Sequence, residues 1–228
     1  MSGDLANQSV RIVIVEDEAP ARQKLKMQLA QVAGVELVAE CDNPQMAIQT
    51  IEQYRPDVVL LDIQMPILDG YEVCKRLKLI NPEAKILIIS QLTSKEAIHQ
   101  IMECGANGFF TKNSSPELLE SAIRNVVERD YYFDVELGAV IREAILWEKK
   151  VHYNLDLTVH VSLTAREIEI IKMACVEMSS KEIGDKLCIS TRTVEKHRKR
   201  IMEKTASKNF IGVILYALKT NAISLNDI

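Results

Sequence analysis

Five residues, far apart in the chain, carry groups whose chemistry would combine if the fold brought them together. They are the carboxylates of Glu16, Asp17 and Asp62, the hydroxyl of Ser90 and the ammonium of Lys112. Three carboxylates packed side by side repel one another unless protons or a cation neutralise them. An all-oxygen set of this kind suits Mg2+, which favours octahedral oxygen coordination and keeps several waters. A hydroxyl and a lysine beside it are what a phosphoryl group on Asp62 requires, as donor and charge partner. Asp62 ends the apolar run Val58-Val59-Leu60-Leu61, and a loop containing Met65-Pro66 and Asp69-Gly70 follows at once. Taken alone, an aspartate there reads equally well as the cap of the next helix.

The elements that must position these groups are legible from pattern. Up to about residue 129, strand-like and helix-like stretches alternate five times. The strand candidates are Arg11–Val15, Glu36–Cys41, Val58–Leu61, Lys85–Ile89 and Gly108–Phe110. The helix candidates are Ala19–Val32, Pro44–Tyr54, Tyr71–Ile80, Ser94–Cys104 and Pro116–Glu128. Asn43-Pro44 and Ser115-Pro116 supply a capping side chain and a first-turn proline, and Gly34 and Gly105 close helices. Regular alternation of this kind predicts an α/β fold, a five-stranded doubly wound parallel sheet with right-handed crossovers. Such a sheet collects its strand ends on one edge, which is where all five residues fall.

The chain has 228 residues, enough for two modest domains. No apolar run approaches the roughly 20 residues of a membrane span, and Met1–Gln8 has no signal-peptide pattern. Five scattered cysteines, never in a Cys-x-x-Cys pair, read as small core residues in a reducing cytosol. Formal charge is −4 but unevenly spread. Residues 1–130 hold 13 Lys and Arg against 19 Asp and Glu, whereas residues 163–228 hold 12 against 8. An acidic front and a basic back predict different partners, nucleic acid for the second.

The basic part opens with Thr164 and Glu167, a capping-box pair ahead of an apolar-periodic run, and Ser179 with Glu182 repeats the pattern. Ser190 then caps a helix over Thr191–Lys204, and Asn209 starts a last one over Phe210–Lys219. The second and third helices, joined by a short turn, make a helix-turn-helix. At 100° per residue, Val194 and Ile201 face inward. Arg192, Lys196 and Lys199 lie opposite, with Glu195 and Arg200 on the flanks, a basic stripe suited to a major groove.

Glu16-Asp17, Asp62 with Met65-Pro66 and Asp69-Gly70, Ser90 and Lys112 together resemble the receiver domain of two-component response regulators, a flavodoxin-like fold. The resemblance covers Val10–Arg129. It implies that Asp62 accepts phosphate from a sensor histidine kinase. It also implies that Asp17, Asp62 and the Gln64 carbonyl hold Mg2+, with Glu16 acting mainly through water, and that Ser90 and Lys112 bind the phosphoryl oxygens. Ser90 drawn to the phosphoryl group would vacate space for Phe109, rearranging the face built from residues 94–104, 108–110 and 116–128. Three positions depart from the family pattern: Phe109 stands where tyrosine is frequent, Gln91 where a small residue is usual, and Asn113 where proline is. Gln91 either restricts access to the phosphate or points to solvent.

Leu163-Thr164-x-Arg166-Glu167, Lys181-Glu182-Ile183 and Ser190-x-x-Thr193-Val194-x-x-His197 resemble the LuxR-type DNA-binding domain. A receiver followed by this domain is the layout of the NarL/FixJ subfamily. The resemblance implies base-facing positions for Glu195, Lys196 and Lys199, and backbone contacts for Thr193, Arg198 and Lys204. His197 reads either as a backbone contact or as a core-edge residue. Glu195 stands where lysine is common, and Glu177 where glycine is usual. The last helix has more apolar surface than one packing face needs. Ile211, Ile214, Leu215 and Leu218 either form a dimer contact or close the core.

The domains expected are a receiver over 9–129, a partly helical linker over 130–162 and a LuxR-type helix-turn-helix domain over 163–228. The amphipathic run Val135, Ala139, Ile141, Ile145 and Trp147 gives the linker its helical character, and Tyr131-Tyr132-Phe133 closes the receiver core. The function expected is that of a cytoplasmic response regulator with Mg2+ as cofactor, whose phosphorylation at Asp62 alters dimerisation and binding to double-stranded promoter DNA. Its enzymology is limited to self-phosphorylation and autodephosphorylation, and it contacts no membrane. The alternative is a phosphate-independent regulator or interaction module. A Mg2+-dependent phosphohydrolase is disfavoured because Gln64 stands where a second carboxylate would be needed.

Overall fold

The computed structural model describes residues 9–65, 69–91, 100, 104–112, 114–132, 161–176 and 178–224. They fall into two compact units. The first holds β1 (Val10–Val15), α1 (Ala19–Leu29), β2 (Val35–Cys41), α2 (Pro44–Tyr54), β3 (Val58–Asp62), α3 (Gly70–Ile80), β4 (Lys85–Ser90), β5 (Gly108–Thr111) and, as far as Val127, α4 (Pro116–Arg129). The expected helix over Ser94–Cys104 and the amphipathic linker run lie, almost entirely and entirely, outside the described residues.

The strands pair in parallel in the order β2-β1-β3-β4-β5. β3 is central, and Val58, Val59, Leu60 and Leu61 are fully buried because helices cover both faces. Side chains alternate between faces. Ile12, Ile14, Val58, Leu60, Leu87, Ile89 and Phe110 meet Leu25 and Leu29 of α1 and Leu119, Ile123 and Val126 of α4. Each such side chain stabilises the fold by roughly 1.5–3 kcal/mol relative to exposure. Of the aromatic trio expected to close this core, Tyr132 joins the cluster, its N–H donating to the Asn107 carbonyl at 3.0 Å, whereas Tyr131 stacks on Phe210 at 6.3 Å and Phe133 lies outside the described residues.

Local signals explain the helix ends. Asn43 caps α2 by accepting from Gln45 N at 2.9 Å, and Asp69 caps α3 by accepting from Tyr71 N at 2.9 Å. The cap of the helix after β3 is therefore Asp69, which leaves Asp62 for other work. Gly34 takes the left-handed conformation, φ +74°, at the turn into β2. At Gly70 the constraint is space: a Cβ would lie 2.4 Å from Ile63 Cα and 2.5 Å from the Asp62 carbonyl oxygen. This glycine lets α3 start against the backbone that carries Asp62.

The second unit contains α5 (Ala165–Cys175), α6 (Ser180–Leu187), α7 (Thr191–Lys204) and α8 (Phe210–Lys219). Both capping boxes form: Glu167 N donates to Thr164 Oγ1 while Thr164 N donates to Glu167 Oε2 at 2.8 Å, and Ser179 with Glu182 does the same. Ser190 caps α7 and Asn209 caps α8. Ile170, Ile171, Ala174, Ile183, Val194, Ile201, Phe210 and Val213 are buried. The α6–α7 turn is tight enough that a Cβ on Gly184 would sit 2.7 Å from the Ile189 carbonyl oxygen. No helix among the described residues is long and apolar enough to cross a membrane. Cys41, Cys74 and Cys104 are buried as expected of core residues, whereas Cys188 is exposed.

Candidate functional site

The parallel order places the ends of β1, β3, β4 and β5 on one edge, and the five singled-out residues meet there. Glu16 and Asp17 follow β1, Asp62 and Ser90 end β3 and β4, and Lys112 follows β5. Lys112 Nζ bridges two carboxylates, 2.9 Å from Asp62 Oδ2 and 2.7 Å from Glu16 Oε2. Glu16, Asp62 and Ser90 are buried, at 0%, 2% and 0% exposure.

Glu16, Asp17 and Asp62 each present a carboxylate oxygen within 4.8 Å of the other two. One lysine cannot balance three carboxylates at this spacing. Burial pushes the Glu16 carboxyl above its usual range, and the Asp62 charge adds to that rise against the downward pull of Lys112. Burial also opposes the charge on Lys112, but its bonds to Glu16 and Asp62 outweigh it and raise the ammonium's pKa. Asp17 Oδ1 is buried with no hydrogen-bond partner. A buried carboxylate oxygen left unmatched is costly unless something positive comes to it. An oxygen-only donor set fits a hard divalent cation.

Residues that the sequence did not single out hold the pocket in place. Arg22 Nη1 donates to the Glu16 carbonyl at 2.8 Å and to the Asp17 carbonyl at 3.2 Å, fixing the backbone that carries both carboxylates. Lys24 Nζ donates to the Lys112 carbonyl at 2.9 Å, and Gln28 Nε2 to the Ser114 carbonyl at 3.2 Å, tying the loop after β5 to α1. No motif marks them, because each acts on a backbone oxygen that only the fold brings near. Phe109 lies inside the fold at 1% exposure. Gln64 N donates to Asp62 Oδ1 at 3.1 Å, and the Gln64 side chain reaches Ser90.

In the second unit, Arg192, Glu195, Lys196, Lys199 and Arg200 stand exposed along α7, with Thr193 and His197 half-buried. Arg198 departs from its expected place at the DNA backbone. It is buried at 2%, its guanidinium lies 4.2 Å from the Phe210 ring centroid, and Nη1 donates to Ser180 Oγ at 3.0 Å. The reason is position: Val194, Arg198 and Ile201 follow the i, i+4, i+7 stripe that faces the core. Burial pushes the guanidinium's pKa down to about 10. Lys204 is engaged too, 2.7 Å from Glu167 of the first capping box. Burial raises the Glu167 carboxyl, but the bonds from Lys204 and Thr164 win and lower it. Ile211 and Leu215 are buried, which removes them from an open dimer face and leaves Ile214 and Leu218, both partly exposed.

Comparison with known proteins agrees with this geometry. Residues 12–124 match the response regulator receiver domain family, and residues 161–217 match the luxR family of bacterial regulatory proteins. These two matches define a receiver joined to a helix-turn-helix. The oxygen regulatory protein NreC of Staphylococcus epidermidis (strain ATCC 12228 / FDA PCI 1200) is 31% identical over 212 residues, covering 92% of this chain and 97% of that one. Among solved structures, the response regulator ChrA of a heme-sensing two-component system is 26% identical with a TM-score of 0.50, covering 94% of this chain and 99% of that one. The receiver domain of the putative response regulator NarL from Mycobacterium tuberculosis is 28% identical with a TM-score of 0.50, covering 53% and 97%. The chain belongs to the LuxR-family response regulators and is a phosphorylation-dependent transcriptional regulator. The phosphate-independent alternative finds no support in these matches.

Proposed function

We propose that Asp62 is the phosphoacceptor and that the donor is the phosphohistidine of a sensor histidine kinase. The observation that carries this reading is Lys112 bridging Asp62 and Glu16 beside the partnerless Asp17 oxygen. Mg2+ would be held by Asp17, Asp62 and the Gln64 carbonyl, with Glu16 acting mainly through water. When bound, the ion supplies positive charge against the phosphoryl oxygens. A carboxylate oxygen of Asp62 attacks phosphorus, the phosphorus–nitrogen bond breaks, and the histidine nitrogen leaves. Lys112, already 2.9 Å from Asp62, accompanies the transferred group and offsets its charge. Ser90 then donates to a phosphoryl oxygen, and Phe109 responds to its movement. The chemistry is confined to this self-phosphorylation and to autodephosphorylation.

The output belongs to α7, whose exposed Lys196, Lys199 and Glu195 face bases and whose Arg192, Arg200, Thr193 and His197 lie along the phosphates. Ile214 and Leu218 contribute to a homodimer that reads paired half-sites of promoter DNA in the cytoplasm. The receiver spans 9–129, the linker 130–162 and the reading domain 163–228. Asp62→Asn abolishes labelling by acetyl phosphate with Mg2+; retained labelling overturns the assignment. Lys196→Ala and Lys199→Ala each weaken promoter binding roughly tenfold at moderate salt.

A further inference from the structure

The side chain of Gln64 engages two donors at the end of β4. Its Oε1 accepts from Ser90 Oγ at 3.2 Å and lies 3.4 Å from the backbone nitrogen of Gln91. A backbone N–H can only donate, so the amide end turned toward β4 is the oxygen. Gln64 therefore touches both sides of the pocket, because its own backbone N–H donates to Asp62 Oδ1 at 3.1 Å. One oxygen atom, on a residue two positions after Asp62, collects a hydroxyl and an amide donor from the neighbouring strand.

A phosphoryl group on Asp62 brings acceptor oxygens into the same place. Lys112 can serve one of them, since it already touches Asp62. The donors next in reach are Ser90 and Gln91, which Gln64 occupies. We propose that the Gln64 amide oxygen is a built-in stand-in for a phosphoryl oxygen, competing with the phosphoryl group for Ser90 and the Gln91 N–H. This rests on the reading of Asp62 as phosphoacceptor. In the resting protein the amide keeps the β4 end satisfied and Ser90 held toward the loop. Phosphorylation exchanges a neutral acceptor for an anionic one, whose hydrogen bonds are about twice as strong. Gln64 itself is exposed, so its released amide bonds to water and the exchange stays reversible. The residue thus tunes how firmly the pocket holds its phosphoryl group, acting through Ser90 and Gln91 without touching phosphorus.

The test uses the full chain with beryllofluoride as the phosphoryl probe in saturating Mg2+. Gln64→Met keeps side-chain length and removes the acceptor, and Gln64→Asn keeps the amide but shortens its reach. Both are expected to bind beryllofluoride roughly fivefold to tenfold more tightly than the parent, the scale of one or two ordinary hydrogen bonds. In the resting protein the Gln91 amide resonance moves upfield in both, a signature that a merely structural role for Gln64 would not produce. Asp62→Asn separates the two readings. If Asp62→Asn still binds beryllofluoride, the phosphoacceptor assignment is wrong. If Asp62→Asn loses binding, but the Gln64 variants bind no tighter or leave the Gln91 resonance unmoved, the stand-in role is wrong.

Discussion

The two functional regions of this regulator are built in opposite ways. The pocket draws Glu16, Asp17, Asp62, Ser90 and Lys112 from four strand ends, and no two strands contribute adjacent sequence. The proposed reading surface lies on one 14-residue helix, α7. A site of the first kind is legible as a set but depends on every backbone position that holds the strand ends. A site of the second kind is legible as a period, yet which charges stay outside depends on what packs behind the helix. The pocket should therefore fail through backbone displacement far from any charged group, and DNA reading by α7 should tolerate loss of a charge that faces inward.

The largest effect expected tests the first half of that contrast. Gly70 carries no functional group, but a Cβ there meets Ile63 Cα at 2.4 Å and the Asp62 carbonyl at 2.5 Å, both backbone atoms. Gly70→Ala must push α3 or the β3 end aside, and catalytic positioning is lost with shifts of about 1 Å. Labelling by acetyl phosphate should fall a hundredfold or more, while promoter affinity of the unphosphorylated chain stays within threefold. Labelling within threefold of the parent would mean the pocket is more tolerant than its construction implies.

An intermediate effect tests the second half. Arg198 lies against Phe210 and Ser180, and burial holds its pKa near 10, so its charge is a burden at neutral pH. Its guanidinium also donates to the Arg129 carbonyl at 2.6 Å, and removing a donor from buried oxygens costs about 1–3 kcal/mol. Arg198→Met should therefore lower unfolding free energy by about 1–3 kcal/mol while leaving promoter affinity within threefold. Its neighbour Lys199, exposed on the same helix, should lose roughly tenfold in affinity as Lys199→Ala. Equal losses at the two positions would place Arg198 on the DNA after all.

How much of this was legible follows from the same distinction. The βα alternation needed only the apolar runs and the turn residues, and Asn43, Thr164, Ser179, Ser190 and Asn209 all cap the helices assigned to them. The five pocket residues came from position at strand ends. What sequence could not supply was direction. The family resemblance assigns Arg198 to the DNA backbone, whereas its spacing from Val194 and Ile201 puts it on the core stripe, where it is buried. Of the two roles open to the last helix, dimer contact or core closure, Ile211 and Leu215 take the second, and they are buried. Arg22, Lys24 and Gln28 were missed because carbonyl partners leave no trace in residue type. Arg55 ends α2 in the left-handed conformation, φ 43°, where a glycine would have given the signal.

The smallest effect expected concerns a second buried lysine, and it sharpens what makes the pocket distinct within its own unit. Lys112 faces two carboxylates and its pKa is raised. Lys78 donates to neutral oxygens, the Ala84 carbonyl at 2.7 Å and Asn107 Oδ1 at 2.8 Å, and burial lowers its pKa from 10.5 to about 8. In the unfolded chain Lys78 keeps its proton up to about pH 10.5, whereas in the folded chain it loses it near pH 8. Between those values the unfolded state binds more protons, so Lys78 contributes stability that rises with pH. Below pH 8 both states are protonated and the contribution is flat. Tyr71 works the other way, because burial raises its pKa and its unfolded form ionises near pH 10. The window below the tyrosine runs from pH 8 to about 9.5. Cys104, whose thiol is lowered from 9.0 by its hydrogen bond with Cys74, also titrates there, so the lysine is isolated by the difference between parent and variant slopes. Urea unfolding at the two ends of this window should show Lys78→Met lacking a rise on the order of 1 kcal/mol that the parent shows. An identical pH slope in the two proteins would mean that the Lys78 ammonium is solvated as freely as an exposed one, and that carboxylate partners are not what separates the pocket lysine from the rest of the unit.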